Sequence, residues 1–353
     1  MDLIYLYGAL AGGGHFNPGI LDINGRKIEL DSIIYGEVAV IYGFVPGNIF
    51  FTRSRKEFLD WVMIHHQVLN HLYSRAKLIP FKPGMTLTSV NELSELIKSN
   101  RSTFLNLFRT VKDMDEWDII VNFTDMRQVL LRAGEDPAVK KLKEEALTKK
   151  NLTQQDLIPI GRLVEAVIKG WKNEIAGGII KEIESVTNHV FVNDRMDENT
   201  VLSLGFLSTP EGAEKVEIYL NSLPSDFNYL QVKMVGPMPP FSFFTIEVKS
   251  LKKENISQAL RTLGIAGVPV YRDVLKAKRA ILQRIHPDKR TEEDSGTIQP
   301  ILDAFDLLDY YYRHKEYSVN ELEDLFVVET VNIQKNEAQQ AGESVAAGHI
   351  VIA

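Results

Sequence analysis

The sequence predicts an α+β protein, with strands and helices interleaved along one chain. Three observations carry that reading. Aromatic and β-branched runs of strand length appear between Leu3 and Phe123 and again between Val201 and Val248. Segments with apolar residues at helical spacing lie among them. A Lys-, Glu-, Leu- and Ala-rich stretch, 125–187, separates the two strand-bearing regions.

Leu3 to Leu10 is the first strand, and it runs into the loop Gly12-Gly13-Gly14. Ile33 to Phe44 reads as a second strand, with Val38, Val40 and Ile41 as its β-formers. Phe58, Leu59, Val62, Met63, Val68, Leu69 and Leu72 predict a helix over 55–76. Leu78-Ile79-Pro80-Phe81 is a short extended segment. Ser89 with Glu92 has capping-box spacing, so a helix opens there. Trp117 to Phe123 is another apolar strand.

In the middle stretch Pro137 and Pro159 read as breaks. The longest helix is expected from about Gly161 to Val186, with Gly177-Gly178 marking a kink or a close packing contact. Val201 to Leu207 returns to strand, Pro210 to Leu223 is a helix, and Tyr229 to Val235 alternates apolar and polar residues. Gly236-Pro237-Met238-Pro239-Pro240 reads as a rigid turn, because proline cannot donate to a ladder. Phe241 to Val248 is read as the strand after it, and 253–315 as helical. From about Gln334 the chain is Ala-, Gly-, Gln- and Glu-rich and predicts a flexible tail. Its last apolar residues, Ile350-Val351-Ile352, read either as a docked edge strand or as a frayed terminus.

Composition narrows the function classes. The 353 residues suit two or three domains with their own cores. There is no cysteine, so disulfides, thiolate metal sites and cysteine nucleophiles are excluded. That suits a reducing cytoplasm. A net charge of −7 argues against nucleic-acid binding by bulk charge. No apolar run reaches the roughly 18 residues that span a bilayer, and the acidic start Met1-Asp2-Leu3 lacks the basic region of a signal peptide.

An ordered series of motifs carries a resemblance. Tyr5-Leu6-Tyr7-Gly8 comes first, then Gly36-Glu37-Val38-Ala39-Val40-Ile41, His66-Gln67-Val68-Leu69, Leu78-Ile79-Pro80-Phe81 and Trp117-Asp118-Ile119-Ile120-Val121. Leu202-Ser203-Leu204-Gly205-Phe206-Leu207 and Gly236-Pro237-Met238-Pro239-Pro240-Phe241 follow. In this order, over residues 3 to 248, the chain resembles the gas vesicle protein L/F family, GvpL/GvpF. Two departures stand out. The family's Pro-Phe-Arg-Phe-Gly-Thr-like stretch is here Pro80-Phe81-Lys82-Pro83-Gly84-Met85. In the Gly-Pro-Trp-Pro-Pro-Tyr motif, Met238 and Phe241 replace the aromatic residues.

The resemblance implies two modified ferredoxin-like α/β domains joined by helices. The expected division is 1–124 for the first, 125–250 for a helical segment and the second, 251–333 for a helical region and 334–353 for the tail. It also implies a prokaryotic gas vesicle accessory or assembly protein, cytoplasmic and at the vesicle. The partners implied are the hydrophobic main shell protein and other gas vesicle proteins.

A second motif lies outside that stretch. Leu263-Gly264-Ile265, a basic helix from Tyr271 to Ile285, His286-Pro287-Asp288-Lys289, and a helix with Ala304, Phe305, Leu307 and Leu308 together look like a J-domain. In J-domains the tripeptide couples to an Hsp70 chaperone, which carries over to His286, Pro287 and Asp288. Lys276, Lys278, Arg279 and Arg284 make the preceding helix basic, suited to an acidic partner surface. Val268-Pro269 departs from the usual opening of that helix, so a J-like hairpin kept only for packing is the competing reading. A further alternative is that the acidic run Glu316, Glu321, Glu323, Asp324 and Glu329 covers the basic helix internally.

No constellation announces an enzyme. His65, His66 and His71 share a helix but lack the zincin spacing and its glutamate, so they read as ordinary helix residues. Gly12-Gly13-Gly14 lacks the Lys-Ser/Thr of a phosphate loop. No nucleophile elbow is present. The expectation is a non-enzymatic protein with no catalytic, cofactor-binding or metal residues.

Overall fold

The computed structural model describes residues 2–12, 16–47, 55–149, 153–193, 197–223, 229–284, 298–315, 319 and 321–331. Its first sheet is built from β1 (Asp2–Ala11), β2 (Gly19–Ile23), β3 (Arg26–Tyr35), β4 (Val38–Pro46), β5 (Leu78–Pro80) and β6 (Thr86–Leu87). The order is β2-β3-β4-β1-β5, with β6 also on β1. The stretch read as one strand from Ile33 to Phe44 is two, because Gly36 takes φ +59° and turns β3 back along β4. Upstream, Asn24 and Gly25 both have positive φ (55° and 79°) and close the β2–β3 hairpin. Asn-Gly is the strongest short hairpin signal in a sequence.

One face of this sheet packs on α1 (Arg55–Tyr73), whose Val68, Leu69 and Leu72 are fully buried. The other face packs on α2 (Val90–Ser99) and α3 (Arg101–Val111) through Leu93, Leu96, Ile97 and Phe104. Ser89 caps α2 by accepting the Glu92 N–H at 3.2 Å, while the Glu92 carboxylate accepts from Thr88.

The second sheet runs β10-β7-β9-β8, from β7 (Asp115–Phe123), β8 (Val190–Val192), β9 (Thr200–Ser208) and β10 (Leu230–Met238). β7 follows the first sheet in sequence but is an interior strand of the second. Its Ile119, Val121 and Phe123 pack with Leu202, Leu204 and Phe206 of β9 against the helices of this half. These are α4 (Met126–Gly134), α5 (Pro137–Leu147), α6 (Gln154–Glu184) and α7 (Pro210–Ser222).

Pro159 does not break the chain here. It sits in the second turn of α6, which a Thr153–Asp156 capping box starts at Gln154. A proline so near the N-terminus removes one ladder bond, and its exposed position leaves the freed carbonyl to water. Gly178 resolves to close packing: a Cβ there would meet the Tyr219 hydroxyl of α7 at 2.8 Å.

The Gly236–Pro240 segment also differs from expectation. β10 continues to Met238 with a register shift after Val235. A Cβ on Gly236 would lie 2.5 Å from the Trp117 ring, so only glycine fits against that indole. Phe241 and Phe244 N–H groups then bond the Pro239 and Pro240 carbonyls, which makes Phe241–Phe244 a turn rather than the start of a strand.

The strand β11 begins at Thr245 (Thr245–Leu251) and pairs with β12 (Leu325–Val331). This ribbon is a septum between two cores. Ile246, Phe326 and Val328 join the core of the first sheet. Leu325 and Val327 join the core formed by α8 (Lys253–Thr262), α9 (Tyr271–Arg284) and α10 (Ile298–His314). Buried Asn100 blocks the outer edge of β12: its amide donates to the Phe326 carbonyl at 2.8 Å and accepts the Val328 N–H at 3.0 Å.

Candidate functional site

The helix pair α9–α10 closes on Val274, Ala304, Phe305 and Leu308, packed with Ile256 and Leu260 of α8. Tyrosines fix its ends. Tyr312 donates to the Pro269 carbonyl at 2.6 Å, Tyr310 to Glu329 at 2.7 Å, and Tyr271 to Asp309. Pro269, which departs from the J-domain pattern, thus anchors the start of α9.

The basic residues of α9 divide by role. The Lys278 ammonium lies 3.3 Å from the centroid of the Phe305 ring, so it packs between helices. Lys276 pairs with Asp273 on its own helix at 2.9 Å. Arg279 is exposed. Arg284 ends α9, and its side chain lies outside the described residues, as do His286, Pro287 and Asp288.

Among the described residues, the acids of the downstream run that form ion pairs do so away from this helix. Glu323 pairs with Lys315, Asp324 with Lys252, and Glu329 with Lys249. All three lie beside the β11–β12 ribbon and the end of α10, where the chain leads them. Glu316 is outside the described residues, and so are Gly13, Gly14 and the tail beyond Val331.

Two buried polar sites lie in the other halves. His65 of α1 is 1% exposed. Its Nε2 is 2.9 Å from the Phe81 carbonyl, which only accepts, so Nε2 carries the proton. Nδ1 then accepts the Tyr5 hydroxyl at 2.9 Å, and Tyr5 in turn accepts the Gly84 N–H. Burial, with His66 beside it, pushes the imidazole down to about 3. His66 stacks face to face on Phe241 with centroids 4.4 Å apart. None of the three helix histidines lies in a cluster fit for a metal, and no such cluster occurs among the described residues.

Glu116 of β7 is equally buried and accepts both the Ser242 N–H at 2.9 Å and the Ser242 hydroxyl at 2.6 Å. Burial pushes it up to about 7, against the opposing effect of those two bonds. Gly205 opposite leaves room for Glu116 and Asp118 together. Next to it, Asp115 accepts from Tyr73 at 2.5 Å and pairs with Lys77 at 2.9 Å. Two adjacent carboxylates thus tie the second sheet to the first half and to the turn before β11. Sequence reasoning missed this joint; its only local sign is three acids at the head of an apolar strand. Both sites tie elements together, His65 linking α1 to β1 and to Phe81, and Glu116 linking β7 to the turn before β11.

Comparison with known proteins fits this architecture. A family model described as gas vesicle synthesis protein GvpL/GvpF matches residues 3–245. Gas vesicle protein F of Dolichospermum flosaquae is 24% identical over 224 residues, covering 61% of this chain and 87% of that protein. Gas vesicle protein F of Microcystis aeruginosa is 24% identical over 164 residues, covering 44% and 67%. The crystal structure of GvpF from Anabaena shares the fold, with a TM-score of 0.55, 18% identity and coverage of 69% of this chain and 98% of that one. The matched stretch ends as β11 begins, so α8, α9, α10 and β12 lie beyond it. With a match running unbroken through both sheets and the Gly236–Pro240 segment, the chain belongs to the GvpL/GvpF family of gas vesicle synthesis proteins.

Proposed function

We propose that the protein is a non-enzymatic assembly factor that binds the hydrophobic main shell protein while gas vesicles form, in the cytoplasm and at the vesicle. The family match over residues 3–245 carries this reading. A shell protein that must face gas on one side exposes apolar surface before it assembles, and a folded partner that covers that surface keeps it from aggregating. Deleting the gene should abolish floating cells, and purified protein should retain the shell protein in a pull-down. Normal vesicles in the deletion strain would refute the reading.

The α9–α10 hairpin supports a second reading, a J-domain-type co-chaperone that recruits an Hsp70 through His286-Pro287-Asp288. Its packed core and the exposed Arg279 favour it. Stimulation of an Hsp70 ATPase, lost in His286→Gln, is the expected result; no stimulation by the full chain rejects it. On these readings the chain comprises a modified ferredoxin-like domain, 1–124, a helical segment with a second such domain, 125–250, a J-like region, 251–333, and a tail, 334–353. β7, which falls within 1–124, pairs in the second sheet.

A further inference from the structure

Residues 115–238 form a unit with its own core, built on the second sheet and α4 to α7. Among the described residues, none of its helices or strands packs broadly against an element outside it. The chain crosses its border twice, at 112–114 between α3 and β7 and at Pro239 and Pro240 after β10. A border so narrow lets two units move relative to each other.

The ties across that border gather at one end of β7. Asp115 accepts the Tyr73 hydroxyl and pairs with Lys77 of the first half. Glu116 accepts the N–H and the hydroxyl of Ser242. His189, ahead of β8, meets the Phe243 and Phe244 rings edge-on, with centroids 6.3 Å away. The 241–244 turn itself belongs to the other side of the border: Phe241 stacks on His66 of α1, and Phe244 packs on the core of the first sheet.

The two acids differ in their company. Lys77 offsets the charge of Asp115. No cation pairs with Glu116 among the described residues, and Asp118 is a second acid on the same face of β7. A Cβ on Gly205 of β9 would lie 3.1 Å from an Asp118 oxygen and 3.6 Å from a Glu116 oxygen, so both carboxyls converge over this glycine. Opposite Glu116, β9 brings Leu207 and β10 brings Met238, neither of them charged. Lys233 of β10 stands opposite Ile120, farther along, and is exposed. Tyr73 and Lys77 face Asp115, His66 lies behind Phe241, and His189 lies against Phe243. Burial raises Glu116 and Asp118 above their ordinary values. Charging both in a dry site is opposed by burial and by their like sign. Separating the turn from β7 wets both carboxyls at the loss of the Ser242 bonds and the ring contacts, while the Asp115–Lys77 pair and the two chain crossings remain.

We propose that Glu116 is a proton-operated latch: with its carboxyl neutral the 115–238 unit is closed on the 241–244 turn, and on ionisation the unit swings away about the Asp115–Lys77 pair. This goes beyond the gas vesicle reading and does not depend on it.

The chain has no cysteine, so Lys27→Cys and Glu217→Cys, both at exposed positions, place two dyes on the full chain, one on each side of the border. Single-molecule energy transfer should show a closed population at pH 5 and an open one that grows with pH. The open-to-closed ratio should rise about 70-fold between pH 5 and pH 8, by linkage of one carboxyl at about 7 when latched and at its ordinary 4.5 when released. Glu116→Gln, which cannot ionise, should hold the ratio constant. A wild-type ratio that does not change with pH, or one that rises as much in Glu116→Gln, overturns the proposal. Amide exchange in the wild type gives a readout that needs no variant to fold. Protection of the Ser242 N–H should fall over the same interval while Val121 and Leu204 in the core stay protected. Ser242 protection that is constant with pH overturns the latch. Loss at all three sites together overturns it too, since the unit then melts rather than swings.

Discussion

His65 in the first half and Glu116 in the second are both buried, both hydrogen-bonded, and shifted in opposite chemical senses by the same cause. Burial disfavours charge. It holds the imidazole neutral by lowering it to about 3, and it favours the neutral carboxyl by raising it to about 7. The consequences for stability run in opposite directions with pH. His65 contributes stability that is present above its ordinary value near 6.5 and is lost as pH falls toward 3. Glu116 contributes stability that is present below 4.5 and is lost as pH rises through about 7. Where these windows overlap, from 4.5 to 6.5, the two slopes oppose, so the wild-type profile there is flatter than either group alone would make it. The difference also separates roles: His65 is locked within one unit, whereas Glu116 holds a joint between units and titrates near neutrality.

The largest effect expected is from His65→Ala. It takes the imidazole from the Phe81 carbonyl and from the Tyr5 hydroxyl and leaves a void, which should cost about 4 kcal/mol in urea unfolding at pH 7.5. The deficit should shrink by about 2 kcal/mol at pH 5, because the variant no longer resists protonation. A deficit independent of pH would break the contrast.

Next is Glu116→Gln, which keeps the shape and removes the titration. Its stability relative to wild type should rise by about 3 kcal/mol between pH 4 and pH 9. Parallel profiles would show that Glu116 titrates as it does in water.

The smallest is Ser242→Ala, which removes one donor to the carboxylate and should cost about 1 kcal/mol at pH 9. It should also push the Glu116 titration higher, as read by carboxyl NMR. An unmoved titration would mean that Ser242 does not hold the charge.

Much of the architecture was legible in local sequence. Periodicity located α1 and α6, Pro210 the start of α7, Ser89 the start of α2, and motif order the family. The misreadings also have local causes. One strand was read across Gly36 because its flanks are equally β-forming, although the Asn24-Gly25 turn upstream was there to be seen. Pro159 was read as a break because a proline's effect depends on its distance from the helix start, which the Thr153–Asp156 box decides. The basic helix α9 was legible as a charge pattern, but not that Lys278 turns inward onto Phe305.

The sequence by itself determined that strands and helices interleave along the chain, the absence of thiol chemistry, and membership of a gas vesicle family. These depend on residue type, short-range spacing and motif order. Only the tertiary structure decided that β7 crosses into the second sheet, that Glu116 meets Ser242 126 residues away, and that Asn100 seals β12 across more than 220. Period and propensity act over a few residues. Burial, and with it the fate of each charge, is set by whichever distant strand or turn arrives to exclude water.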